Sequence, residues 1–442
     1  MIKRFFLFLT LAAGLFPSGI WAGPIAEDPE GLRFTDEFVL QHTPVKNQHR
    51  TGTCWSFSAL SFFESEMLRL KKPETDLSEM YIVYHTYLQK AQKFVRMQGN
   101  TGFSEGGAFH DASNVIRTLG IVPEEVYTGL NYGEEKHVHG ELDHSLRDYM
   151  EAIVKNPNRK LSPAWQEGLT GILDAYLGKV PEKFDYQGKS YTPQSFAREV
   201  TGLDMDDYVE ITSYTHHPFY APFILEVPDN WSWDEVYNVP LEDLEEIIDF
   251  SLRRGFSVAW AADVSEKGFQ TSNKGIALIP VKKTEEMSNA EILRWEKLSD
   301  REKEDELFNI AGPVHELEIT QEIRQVDFDN YQTTDDHGMH IIGMARDQEG
   351  RLWYKVKNSW GPYNLYGGFF YASKPYVRYK TMSIMVHRDG IPQRDALRAG
   401  SGRALFSLDR TVAQRHSGRA GQADTRGGAG PVGSRAALRA AS

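Results

Sequence analysis

Val45-Lys-Asn-Gln-His-Arg-Thr-Gly-Thr-Cys-Trp-Ser-Phe-Ser-Ala-Leu60 contains Cys54, the only cysteine in the 442-residue chain. From Trp55 onward, Ala59, Leu60, Phe62, Phe63, Met67, Leu68 and Leu70 recur at mostly helical spacing, which predicts a helix opening at or near Cys54. Thr51-Gly52-Thr53 before it is turn-like. A cysteine at a helix start meets unpaired N–H groups and the positive end of the dipole, and both favour thiolate over thiol. Gln48, six residues upstream, offers an amide donor to whatever Cys54 attacks. The Cys54 N–H would be the second donor of an oxyanion hole. A lone cysteine is more commonly a buried structural residue, so Cys54 alone does not decide between the two readings.

The far end of the chain decides it. Met339 to Ala345 and Leu352 to Lys357 read as strands around Asp347-Gln-Glu-Gly350, a hairpin turn signal. Counting back from that turn, His337 and Asn358 fall at the same open end, nearly opposite each other. An imidazole beside an amide oxygen is held in one tautomer, which frees its other nitrogen to meet a thiol. Cys, His and Asn in that chain order are the arrangement of a cysteine peptidase.

The rest of the sequence sets the context. Met-Ile-Lys-Arg, an apolar run from Phe5 to Phe16 and the small Ala22 predict a secretory signal peptide over 1–22. The run is too short for a comfortable membrane span, and the mature protein is expected to be exported, periplasmic or extracellular. One cysteine cannot form a disulfide within its own chain. The formal charge is −13, but the last fifty residues hold nine Arg and three Asp, which leaves about −19 on the body. An acidic body argues against nucleic acid as a partner. Residues 23–44 read as an irregular lead-in. Helices are expected from Asp76-Leu-Ser-Glu79, through Ala112 to Ile116, over 141–154, 163–178 and 241–253, and as one solvated helix over 284–308. Ser257 to Ala262 and Gly367 to Tyr371 read as strands. From 393 onward Lys and Glu vanish while Arg, Ala, Gly and Ser dominate, the composition of a disordered tail. Gly428-Ala-Gly430-Pro-Val-Gly433 in that tail matches a dinucleotide-binding glycine pattern only formally, with no strand before it.

Gln48…Gly52-Thr-Cys54-Trp55, His337-Gly-Met-His-Ile-Ile-Gly343 and Lys357-Asn-Ser-Trp-Gly361 together resemble the three signature blocks of papain-like cysteine peptidases. The resemblance implies a two-lobed α+β fold, a helical lobe beside an antiparallel β lobe. It assigns Cys54 as nucleophile, His337 as general base and then acid, Asn358 as orienter of the imidazole, Gln48 as oxyanion donor and Trp360 as shield of the His–Asn bond. Glu105-Gly106-Gly107 resembles the loop whose backbone holds substrate, making Gly106 and Gly107 substrate-binding. Thr51, where the family usually has a disulfide cysteine, and the 283-residue interval from Cys54 to His337 are similar to the bleomycin hydrolase and aminopeptidase C branch, with its large helical insertion, here about 130–240 in a peptidase domain of 23–392. His340 is expected to be a bystander on the strand. That branch consists of aminopeptidases acting on peptide substrates, with homo-oligomers among them and no cofactor.

Two alternatives follow from other features. A cleft left open by the long tail would give an endopeptidase, and a catalytically silent peptide-binding scaffold would normally have lost one of the four key residues. No metal is expected. His137-Val-His139 with Asp143 and His144, and the pair His216-His217, are the candidate ligands, but such clusters are more often simply solvated, and His315-Glu316 lacks a zinc-binding partner.

Overall fold

The protein is described by a computed structural model over residues 31–158, 160–282 and 287–393. The expected signal peptide over 1–22 and the tail beyond 393 lie outside these residues.

The helices are α1 (Cys54–Arg69), α2 (Glu79–Arg96), α3 (Phe109–Leu119), α4 (Gly140–Val154), α5 (Ala164–Leu177), α6 (Pro193–Phe196), α7 (Leu241–Arg253), α8 (Asn289–Lys297), α9 (Asp300–Leu307), α10 (Gln321–Asp329) and α11 (Lys374–Lys380). The strands are β1 (Phe34–Val39), β2 (Phe184–Tyr186), β3 (Lys189–Tyr191), β4 (Tyr208–Thr212), β5 (Ala221–Ile224), β6 (Glu235–Asn238), β7 (Val258–Ala262), β8 (Phe269–Gln270), β9 (Ile276–Ala277), β10 (His337–Asp347), β11 (Leu352–Lys357), β12 (Phe369–Ser373) and β13 (Thr381–His387).

α1 is the hinge of the architecture. Every residue from Trp55 to Met67 is buried, because the helix is covered by α2 and α3 on one side and by β7 and β10 on the other. One apolar core joins α1 to α3 with α4 and α5. A second lies between the sheet and α7 and α11. The large sheet has eleven strands in the order β5-β6-β4-β13-β7-β10-β11-β12-β9-β8, with β1 paired to β10 off this path. It is antiparallel apart from two short parallel pairs, β4 with β6 and β9 with β12.

Several expectations need correction. The lead-in read as irregular contains β1, an edge strand made by pairing Phe34 to Val39 with β10, more than 300 residues away. The stretch from 130 to 240 is helical only in its first part; from Tyr208 it returns to the large sheet through β4, β5 and β6. The charged helix expected over 284–308 is two helices, because Ser299 and Glu302 form a second capping box just after that of Ser288 and Glu291. α2 does start in the Asp76-to-Glu79 stretch, capped by Ser78, whose hydroxyl accepts from the Tyr81 N–H.

Candidate active site

Cys54 is the first residue of α1. The preceding Thr53 makes no side-chain cap; its hydroxyl is engaged with Thr51 at 2.6 Å instead. The first N–H groups of the helix are therefore left uncapped by this side chain, and the backbone N–H groups of Gly338 and Trp55 act to lower the Cys54 thiol.

His337 opens β10, and Asn358 follows β11 directly. The antiparallel register His340 to Lys357 between these strands brings the two residues together at the hairpin's open end. His337 Nε2 and Asn358 Oδ1 are 2.8 Å apart. The amide oxygen is an acceptor only, so Nε2 carries the proton and Nδ1 is the basic nitrogen. Trp360 lies against the imidazole, with ring centroids 4.7 Å apart and the planes inclined by 31°. Cys54 and His337 line one cleft of about 500 Å³, together with Gly107 and Ala108.

Gln48 is buried and is not among the residues that line this cleft. Its Nε2 donates to Thr51 O at 2.8 Å, and its Oε1 accepts from Ser359 Oγ at 2.6 Å. Ser359 also donates its N–H to Asn358 Oδ1 at 2.8 Å, and its carbonyl accepts from the Gln48 N–H at 2.8 Å. A single serine therefore ties the oxyanion candidate to the imidazole's partner. It stands inside the Lys-Asn-Ser-Trp-Gly block, yet its type alone suggests no role.

Gly338 is a second residue that sequence reasoning passed over. A Cβ there would lie 2.5 Å from Ser58 Oγ and 3.2 Å from Trp55 Cα, so only glycine lets β10 approach α1 closely enough to set His337 beside Cys54. In the loop at 104–107, Trp55 Nε1 donates to Glu105 O at 2.9 Å, and the Lys90 ammonium donates to Ser104 O at 2.8 Å and to Gly106 O. A Cβ on Gly107 would meet the Trp55 indole at 2.8 Å.

Electrostatics depart from the expected thiolate. Burial pushes the Cys54 thiol up to about 12, with Asp335 and Asp229 acting in the same direction against the N–H groups of Gly338 and Trp55. Burial also pushes His337 down to about 4, opposed by its bond to Asn358. Both shifts favour the uncharged forms, thiol and neutral imidazole. Desolvation outweighs the helix terminus here.

His340 is fully buried, three residues into β10, and its Nδ1 meets Ser61 Oγ of α1 at 2.9 Å. The proposed His137, His139, Asp143 and His144 ligands do not converge. Asp143 pairs with Arg147 at 2.5 Å, and His144 Nδ1 meets Gly140 O. Among the described residues, the group whose donor atoms do come within 4.8 Å of one another is His216, His217 and Glu226, where Glu226 stands between the cleft-lining Leu225 and Val227.

Residues 32–306 match the model of the Peptidase C1-like family, and the chain belongs to that family. It is similar to aminopeptidase G of Lactobacillus delbrueckii subsp. lactis, 24% identical over 78% of this chain and 80% of that one. It is also similar to the mitochondrial cysteine proteinase 1 of Saccharomyces cerevisiae, strain JAY291, 21% identical over 82% and 78%. Among solved structures it resembles PepW of Lactobacillus rhamnosis HN001, with a TM-score of 0.62, 22% identity and 85% of each chain covered. The α+β fold is papain-like, and the chain is a cysteine-type peptidase of the branch that holds bleomycin hydrolase and aminopeptidase C.

Proposed function

We propose that the protein is an aminopeptidase that cleaves peptide bonds through a thioester on Cys54. The observation that carries this reading is the His337–Asn358 bond of 2.8 Å under Trp360, in the cleft that Cys54 lines. With a thiol and a neutral imidazole at rest, His337 Nδ1 takes the Sγ proton as the sulfur bonds to the substrate carbonyl carbon. The carbonyl oxygen gains the charge and faces the Cys54 N–H and the second hydrogen of Gln48 Nε2. The imidazolium, steadied by Asn358, then protonates the departing amine. Water adds to the thioester with His337 again as base, which releases the acid and restores the thiol. The free-amine preference is supported by the named relatives, aminopeptidases C, E, G and W. Export of the chain is proposed on the charged and apolar pattern of residues 1–22.

The test is hydrolysis of two fluorogenic peptides that differ only in a free or acetylated amino terminus, under reducing conditions, with a Cys54→Ser control. Thiol-dependent cleavage confined to the free-amine peptide is expected, and Cys54→Ser should lose on the order of 10³-fold or more in kcat/KM. Cleavage of the blocked peptide would make the protein an endopeptidase. No thiol-dependent cleavage of either would refute the peptidase assignment of these residues.

A further inference from the structure

The chain between α2 and α3 forms neither helix nor strand, so the carbonyls of residues 104–106 need donors from elsewhere. All three find them on side chains. Trp55 Nε1 donates to Glu105 O at 2.9 Å, and the Lys90 ammonium donates to Ser104 O at 2.8 Å and to Gly106 O. The Glu105 carboxylate in turn accepts from the N–H of Gly52, just before the nucleophile. Gly106 is confined by Asp229, since a Cβ there would come 2.2 Å from both carboxylate oxygens. Gly107 then lines the cleft with Cys54.

Lys90 is the unexpected member of this set. It lies in α2, is 2% exposed, and is not among the residues that line the cleft. Lysine is almost never fully buried unless paired. Desolvation opposes the Lys90 charge, and Asp111, Asp229, Asp143 and Glu105 offset it in part. Its hydrogen bonds go to the loop all the same. Its Nζ also lies 5.8 Å from the centre of the Trp231 ring and 5.9 Å from that of Tyr87. An apolar side chain of similar length would fill this space without the cost of burying a charge. It would also leave Ser104 O and Gly106 O without donors. One ammonium, with three hydrogens on one atom, can hold two carbonyls of an irregular segment at once.

We infer that Lys90 is a positioning residue, whose ammonium holds the 104–107 loop where Gly107 meets the substrate backbone beside Cys54, without touching substrate itself. This rests on the peptidase reading. Cys54, His337 and Asn358 stand on or beside α1, β10 and β11, not on the segment that Lys90 holds. Loss of the ammonium therefore weakens substrate binding and spares the chemistry.

The test is steady-state hydrolysis of the free-amine fluorogenic peptide by the full chain and by Lys90→Met, which keeps the length of the side chain and removes the donors. The variant should raise KM about tenfold and change kcat less than about threefold, the pattern of binding lost equally from ground and transition states. Alkylation by iodoacetamide, which needs no peptide site, reads the reactivity of Cys54 alone and should stay within about twofold of the parent rate. Lys90→Gln keeps two donors without the charge, and its KM should rise by about threefold, less than that of Lys90→Met. A KM for Lys90→Met within about twofold of the parent's would overturn the inference. So would a fall in kcat and in alkylation rate as large as the rise in KM, because Lys90 would then support the nucleophile's own surroundings. Should Lys90→Met not fold, Lys90→Gln decides by the same two criteria. A parent with no thiol-dependent hydrolysis fails the peptidase reading and this inference with it, whereas an active parent whose KM does not respond fails this inference alone.

Discussion

Two groups of carboxylates adjoin α1 and are treated in opposite ways. Along its length Glu64 is buried, and each of its oxygens has a partner: Thr43 Oγ1 at 2.5 Å, Lys46 Nζ at 2.9 Å and the Leu77 N–H at 2.9 Å. The same ammonium holds Glu79 at 2.6 Å and reaches Asp76. Burial works against the Lys46 charge, but Glu64, Glu79 and Asp76 hold it well above the ordinary lysine range. One cation does not offset all of them, and burial still lifts Glu79 to about 8. At the helix's N-terminal end, Asp229 and Asp335 line the cleft, and Lys90 and His110 act on them through charge with no ion pair to either. A carboxylate that the fold has saturated belongs to the fold. One left unsaturated beside a nucleophile keeps its bonding capacity for a ligand.

Removing the cation from the saturated group should give the largest effect. Lys46→Met strands Glu64 and Glu79 in the interior. Breaking a buried pair from one side costs about 3–5 kcal/mol. Denaturant unfolding should show a midpoint shift of that size, and a shift below about 1 kcal/mol would erase the contrast between the two groups. Thr43→Val is milder. It deletes the donor to Glu64 Oε2 and removes the acceptor for Lys357 Nζ, 3.0 Å from Thr43 Oγ1. Loss of a hydrogen bond to a charged group should cost about 1.5–3 kcal/mol in the same measurement.

The two groups were not equally legible in the sequence. His337 and Asn358 were placed correctly because the hairpin is local: the Asp347-to-Gly350 turn fixes the register, and counting residues does the rest. Cys54 at the head of α1 was legible from helical spacing for the same reason. Ser299 and Glu302 carried a readable capping signal that divides the charged stretch into two helices. β1 was not legible, since its pairing with β10 spans the chain and its own alternation is weak. Nor was the acidic cleft. Residues 210, 229, 335 and 336 come from three separate segments, and no spacing relates Asp229 to Asp335 before the sheet closes. The burial that opposes a thiolate at Cys54 was not legible for a related reason. The dipole is a property of one helix, but desolvation depends on everything packed around it.

Asp335→Asn should change stability in the opposite direction. In the unfolded chain Asp335 titrates near the ordinary aspartate value of 3.8, while burial and the neighbouring Asp229, Glu210 and Asp336, opposed by His110, raise it to about 8 in the fold. Between those values the native state holds a proton that the unfolded state has released. The group's favourable contribution is therefore complete below about pH 4 and is lost progressively as pH rises through 8. At pH 7 the aspartate opposes folding. An amide of the same shape has no proton to hold, so the variant should be more stable than the parent at pH 7. The gain should vanish at pH 4. Thermal unfolding of both proteins at these two pH values measures it. A loss of stability at pH 7 would mean that Asp335 is saturated in the way Glu64 is, and the contrast between the two groups of carboxylates would fall.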